Sequence, residues 1–358
     1  MSNRPAPGNS QLTLIIVDAL RAKRVAVAAV IGVAAGALNF ALFPLHHGGD
    51  FVQFHYHTRS WLAGNDPYSG GYPIMRATRI VPEPFFYPFP TLFAVAPFAF
   101  LSVRFAAAAF ISLSSALLAL GLLRRSPERL PLFLGAGFFA ALVLGQWSPL
   151  ITATLLFPSL AFLAVLKPNI GLAVTASRMT WVGVVGGGLL LVAGLLVQPN
   201  WPAEWLRNLH SMPPHSAPIF LPGGALLLLA AARWRRPEAR LLIAMACVPQ
   251  LMYFADQLPL WMIPRARRES MVLSAVSMLA WAAALIAATK AGRQPPFSSE
   301  LFVLAGVYLP ALIMVLRRPN EGDVPATIER LLVNAPRWLR GRRTGEEIRS
   351  IMDGSLHG

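Results

Sequence analysis

Four polar side chains stand out against an apolar background: Asp50, Gln146, Lys167 and Asp256. A positioned carboxylate takes a proton from a hydroxyl nucleophile. A lysine inside an apolar stretch is costly, so Lys167 points to an anionic ligand. Each residue also has a plainer use. Asp50 suits a helix N-cap, Lys167 a snorkelling side chain, and Asp256 a cap or an ion pair with an arginine. Gln146 suits a bond to the backbone freed by Pro149. Gly48-Gly49, just before Asp50, allow close backbone approach by a substrate. The segment 46–68 also carries His46, His47, His55 and His57, with Tyr56, Arg59, Trp61 and Asp66. Histidines two apart share one side of a strand but diverge on a helix. No cysteine or dense acidic set completes a metal shell around them. No metal site is expected, and interfacial or hydrogen-bonding histidines are the simpler reading. The single cysteine, Cys247, excludes an internal disulfide and a thiolate metal site.

The elements that must position these residues are membrane helices. The chain has 358 residues, 55% hydrophobic and 13% charged, against roughly 25% charged in a soluble domain. Mean hydropathy is +0.54. Apolar runs of about 15–20 residues are what bilayer spans require, so a soluble enzyme is excluded. Span candidates are 25–45, 86–101, 104–123, 131–146, 149–166, 181–198, 220–232, 240–256, 270–289 and 299–316. Shorter apolar pieces lie at 168–177 and 257–264. The expected fold is an all-α polytopic bundle of 9–12 spans. Pro97, Pro149, Pro158, Pro168 and Pro259 interrupt these runs, and proline removes a helix donor. Such breaks either end spans or line an internal cavity. No internal repeat is visible, which weakens a transporter built from inverted repeats.

Charge sets the expected orientation. The net charge is +15. The excess sits in short clusters, Arg124-Arg125 to Arg129, Arg233-Trp-Arg235-Arg236, Arg265-Ala-Arg267-Arg268 and Arg317-Arg318. That pattern marks cytoplasmic loops and excludes a nucleic-acid partner. Residues 1–24 form a cytoplasmic N-terminal segment and read as no cleavable signal peptide. Residues 25–316 form the membrane domain, and 317–358 a cytoplasmic tail whose stretch 325–340 can lie along the membrane surface. The polar loops 46–88 and 199–219 fall outside. The charges of 46–88 (Asp50, Arg59, Asp66, Arg76, Arg79, Glu83) sum to zero. Alternation places Arg124–Arg129 outside, against its charge, unless 86–101 or 104–123 fails to cross.

At this point the sequence resembles a family. An aspartate opening the first extracytoplasmic loop is the hallmark of the GT-C superfamily of integral membrane glycosyltransferases. Asp50-Phe, Tyr56 and Trp61-Leu-Ala-Gly64-Asn-Asp66-Pro67-Tyr68 resemble its polyprenol-phosphate-mannose-dependent mannosyltransferase branch. Tyr87-Pro88, Gly145-Gln146, Lys167-Pro168-Asn169 and Tyr253-Phe-Ala-Asp256 follow in family order, over about residues 45–260. The chain departs from the pattern in leaving only some 20 residues between Gln146 and Lys167, where two spans are expected, and in separating Tyr253 from Asp256.

The resemblance implies direct inversion at an anomeric carbon. Asp50 is the expected general base. Expected substrate contacts are Lys167, Arg59, His55, Tyr56, Asp66, Gln146 and Asp256, with Arg76 and Arg79 as alternatives for the leaving phosphate. The implied donor is a polyprenyl-phosphate hexose, with mannose as the sugar. The acceptor is a lipid or glycan outside the cytoplasm, and no cofactor is required. A multi-pass protein of a bacterial inner membrane is the expected setting. The competing expectations are a catalytically inactive GT-C-like subunit of a membrane complex and a lipid-linked sugar transporter.

Overall fold

The computed structural model describes residues 8–46, 49–76, 79–211, 215–292 and 300–322. The expectations for 325–340, His47 and Gly48 fall outside them. The described chain is mostly helical. Helix α1 (Gly8–His46) leads into α2 (Gly49–Leu62). A two-stranded antiparallel hairpin follows, β1 (Tyr72–Arg76) and β2 (Arg79–Glu83). The short α3 (Pro90–Val95) precedes the long α4 (Val103–Arg125).

Helices α1 and α4 form the antiparallel backbone of the bundle. Gly32 lies against Ser112 and Ala116, and Gly36 against Ala108 and Ser112. A Cβ at Gly36 would sit 2.7 Å from the Ala108 carbonyl oxygen. Small residues four apart are what let two apolar helices approach closely in lipid. At the far end, Arg104 donates from Nε to the Phe40 carbonyl at 2.9 Å and lies over the Phe40 ring. The antiparallel pairing answers the topological conflict in the charges. The connection from α1 to α4 leaves and returns at one end of the bundle, and Arg124 and Arg125 lie toward the other. The 86–101 stretch supplies only α3 and one further turn, Ala96–Phe98.

Beyond α4 the apolar runs, the long α11 apart, are broken into short pieces. They comprise α5 (Ala136–Leu144), α6 (Ser148–Thr154), α7 (Pro168–Ser177) and α8 (Gly187–Val197). After these come α9 (Trp201–His210), α10 (Pro237–Cys247) and α11 (Arg267–Lys290). The last are α12 (Glu300–Val303) and α13 (Leu309–Leu316). Tight 3-10 segments at Pro127–Leu134, Pro158–Leu166, Gly224–Arg233 and Phe254–Met262 join them. Pro131 and Pro259 lie inside two of these and remove a donor there.

The count of straight spans is therefore lower than the sequence suggests. Among the described residues, three helices are long and apolar enough to cross a membrane: Ala22–Pro44, Val103–Arg125 and Arg267–Lys290. Two bent pairs raise the number to five. Pro127–Leu134 with Ala136–Leu144 turns by 59°, and Val182–Val197 with Trp201–His210 by 98°. The remaining candidates are apolar but interrupted. Proline interrupts several of them, and Glu300–Leu316 runs as one apolar helix of 17 residues among the described ones.

Exposure follows the same logic. Trp181, Leu189 and Leu196 on the α8 arm and Leu279 on α11 are large apolar side chains left uncovered. A helix that shows leucine outward and alanine, serine or glycine inward suits a lipid solvent. The basic clusters meet at one end. Arg129 donates to the Pro264 carbonyl at 2.7 Å, and Arg240 donates to the Ser177 carbonyl at the end of α7. Arg265 pairs with Glu238 at 2.7 Å and Arg318 with Glu269 at 2.6 Å.

Candidate functional site

Two glycines in left-handed backbone build the opposite end. Gly145 (φ 63°) stops α5, accepting a conformation that side chains with a Cβ rarely adopt, and so turns Gln146 inward. Gly49 (φ 54°) starts α2 against the end of α5. A Cβ there would stand 2.6 Å from the Cα and carbonyl oxygen of Leu144. Gly49 thus admits the Leu144 backbone rather than a substrate, which corrects the expectation drawn from the sequence.

These turns bring Asp50, Gln146, Lys167 and Asp256 into one hydrogen-bonded chain. Gln146 Nε2 donates to Asp50 Oδ2. Lys167 Nζ donates to Gln146 Oε1 at 2.7 Å and to Asp256 Oδ1 at 2.5 Å. Asn169 Nδ2 donates to Asp256 Oδ2 at 3.3 Å. The order is chemically directed. An amide both donates and accepts, so Gln146 links a carboxylate to an ammonium without repelling either. Gln146, Lys167 and Asp256 are buried, while Asp50 is half-buried. Asp50 Oδ1 has no hydrogen-bond partner among the described residues. Lys167 uses two of its three N–H groups in the chain.

The short segment between Gln146 and Lys167 now has a physical account. The chain leaves Gln146 as α6, turns at Phe157, and returns as Pro158–Leu166. Neither arm crosses the bundle, and the return sets Lys167 at the entry of α7. Pro168 occupies the first turn of α7, where its missing N–H is harmless. Thr91 Oγ1 on α3 donates to the Leu166 carbonyl at 2.9 Å and ties the returning arm to the first loop. Lys167 does not snorkel; its side chain is 5% exposed and paired with Asp256.

An aromatic wall stands beside Asp50. Phe54 meets Tyr87 edge-on at 4.5 Å and Trp147 at 5.5 Å. Tyr68 Oη donates to the Tyr87 carbonyl at 2.7 Å. From α9, Trp205 and Asn208 donate to the carbonyls of Phe86 and Phe85. The two loops expected outside the membrane, 46–88 and 199–219, therefore pack on each other around the site. Burial pushes the Asp50 carboxyl up to about 6; Lys167 and the Gln146 bond pull it part of the way back. Burial raises the Tyr87 hydroxyl well above its usual value, and the charges of Asp50 and Asp256 add to this.

The other expected contacts lie elsewhere. His55, Tyr56 and Arg59 occupy the far face of α2 and line a separate cleft. His55 Nε2 bonds the Leu101 carbonyl at 3.1 Å. Asp66 organises a turn, accepting from the Tyr68 N–H at 2.9 Å and from Gln198 at 3.3 Å. Arg76 and Arg79 sit on the paired strands β1 and β2. Sequence reasoning passed over Asn169 and Tyr87 as site residues. Both lie beside motif positions, and only proximity in space marks them. Among the described residues, no three His, Cys, Asp or Glu side chains gather as metal ligands.

Comparison of the chain with protein-family models, with curated proteins and with solved structures finds no match. The site must be read from its own chemistry.

Proposed function

We propose that the chain is an integral membrane glycosyltransferase of GT-C type. It moves a hexose, mannose in the closest reading of the motifs, from a polyprenyl-phosphate donor to a hydroxyl of a lipid or glycan acceptor. The single observation that carries the reading is the chain Asp50–Gln146–Lys167–Asp256. Four residues from distant segments join in one hydrogen-bonded chain that ends on the Asp50 carboxylate, which keeps a free oxygen. Asp50 takes the proton of the acceptor hydroxyl as the hydroxyl oxygen attacks the anomeric carbon. The bond from that carbon to the phosphate oxygen breaks, and the electron pair leaves with the phosphate. The remaining Lys167 N–H supplies positive charge near the leaving group. On this reading the basic end faces the cytoplasm and the site faces outward. A carboxyl at about 6 is mostly ionised at neutral pH, as a general base requires.

The test uses the full chain in lipid nanodiscs with polyprenyl-phosphate mannose labelled in the sugar and a membrane lipid extract as acceptor. Label should pass to acceptor with the wild type and not with Asp50→Asn. Equal transfer by both removes Asp50 as base. No consumption of donor by the wild type removes the transfer reading and leaves transport or a structural role.

A further inference from the structure

The second face of α2 has no part in the chain of residues around Asp50. Positions 52, 55, 56, 59 and 60 follow i, i+3, i+4, i+7, i+8 spacing and so share one side of the helix. Asp50, Phe54 and His57 share the other. The first face lines an open cleft of about 610 Å³, within the range of roughly 300–1,000 Å³ typical of small-molecule sites. Its polar lining is Arg59, Tyr56, His55, Ser60, Tyr72 and Ser102.

The lining has a definite charge. No acid is in it, and Arg59 is exposed with no ion pair among the described residues. Tyr56, Ser60, Tyr72 and Ser102 share the lining with Arg59 and carry hydroxyls. Tyr56 and Tyr72 meet edge-on at 5.4 Å and form one wall. An arginine in a cleft lined with hydroxyls matches a phosphate. The rim is apolar. Beside Ser102 and Val103 the chain presents Phe100 at 85% exposure, Leu101 at 43% and Phe105 at 60%. Phe100 and Leu101 lie just before α4, and Phe105 in its first turn, so an apolar surface runs from the cleft onto a span candidate.

We infer that this cleft binds the phosphate head group of a membrane lipid, with Arg59 on the anion and the lipid chain over Phe100, Leu101 and Phe105. The inference stands apart from the chemistry at Asp50, because the two sites use opposite faces of one helix. A cleft this large takes more than a bare phosphate, and the uncovered aromatics have no use for a free anion.

The experiment measures binding of labelled farnesyl phosphate to the full chain in detergent by equilibrium dialysis. Saturable binding is expected. Arg59→Gln should weaken it about tenfold or more, as loss of a charge-assisted contact does. Arg59→Lys should recover part of the loss. Phe100→Ser with Phe105→Ser should weaken it several-fold. Excess inorganic phosphate should not displace the probe. Unchanged binding in Arg59→Gln overturns the site. Farnesol competing as well as farnesyl phosphate overturns the phosphate reading. Inorganic phosphate displacing the probe at equal concentration makes it a free-anion site and overturns the lipid. None of these outcomes bears on the transfer proposal, which is read on turnover in Asp50→Asn.

Discussion

Two carboxylates at opposite ends of the molecule are shifted in opposite directions. Asp50 is pushed up to about 6. Glu238 lies at the basic end. Burial raises its carboxyl, but Arg265 and Arg318 more than reverse this and hold it below its usual value. The difference is in the partners. Glu238 has Arg265 at 2.7 Å and Arg318 at 3.9 Å. Asp50 has only an amide, and its nearest cation stands one residue further along the chain. A carboxylate beside two guanidinium groups does not readily accept another proton, even though Glu238 keeps one oxygen without a partner. One held by an amide does so more readily.

The arginines differ in the same way. At the basic end they close helix termini: Arg233 donates to Leu316 and Arg318 carbonyls, Arg318 to Ile263 and Arg236 to Pro319. Carbonyls at a helix end lack partners, and a cation there also meets the negative end of the dipole. These groups are occupied by structure. At the other end Lys167 keeps a donor and Arg59 a whole guanidinium. At one end the cations are spent on carbonyls and carboxylates of the fold, and at the other they keep donors to spare.

The largest effect that can break this contrast is on turnover. Asp50→Asn should lower sugar transfer by about 10²–10⁴-fold, the usual contribution of a positioned general base. Binding of donor, measured separately, should change little. Arg265→Gln in the same assay should transfer at the wild-type rate. If both variants slow the reaction alike, the two ends are not functionally distinct.

Next in size is stability. Lys167→Met leaves Asp256 buried without its cation and should cost about 3–5 kcal/mol, since breaking a buried pair strands a charge. The readout is the thermal unfolding midpoint in detergent. Lys167→Met combined with Asp256→Leu should regain most of that loss, because two apolar groups replace the pair. Transfer activity should stay lost in the double variant. Recovery of activity with stability would show the pair to be scaffold alone.

The sequence made the site more legible than the fold. Asp50, Gln146, Lys167 and Asp256 could be picked out because polar groups are conspicuous in an apolar chain and because each stands in a recognisable motif. Arg59, His55 and Tyr56 stood in the same stretch but turn to the other face, since a loop that reads as irregular is in fact the helix α2. Residues two apart then diverge, which segment composition does not reveal. The sequence candidates outnumber the straight apolar helices for a related reason. Hydropathy averages over a proline, whereas the backbone does not. At Pro158–Leu166 the apolar run is real, but it serves to return Lys167 to the site and not to cross a membrane.

A smaller effect concerns pH. An Asp50 carboxyl at about 6 must lose its proton to act, so transfer should rise as pH increases through about 6. Gln146→Leu removes a bond to the charged form, and that bond lowers the value. The acidic limb of the kcat/KM profile should therefore move to higher pH. A limb unmoved in Gln146→Leu would mean that another group sets it.

The smallest effect is expected where the contacts look most numerous. Arg265 is half exposed, with 51% of its side chain open to solvent. Solvent screens such a pair, and exposed ion pairs contribute about 0–1 kcal/mol. Arg318 also remains beside Glu238 when Arg265 is gone. Arg265→Gln should therefore lower the unfolding midpoint only slightly at neutral pH. The sign with pH follows from Glu238. Its value is depressed in the folded state, so its stabilisation is present above the usual 4.5 and lost as pH falls through the lower folded value. The wild type should lose part of its margin over Arg265→Gln as the medium is acidified below that range. A gap between the two that widens on acidification would mean that the arginine stabilises through its backbone neighbours rather than through the carboxylate.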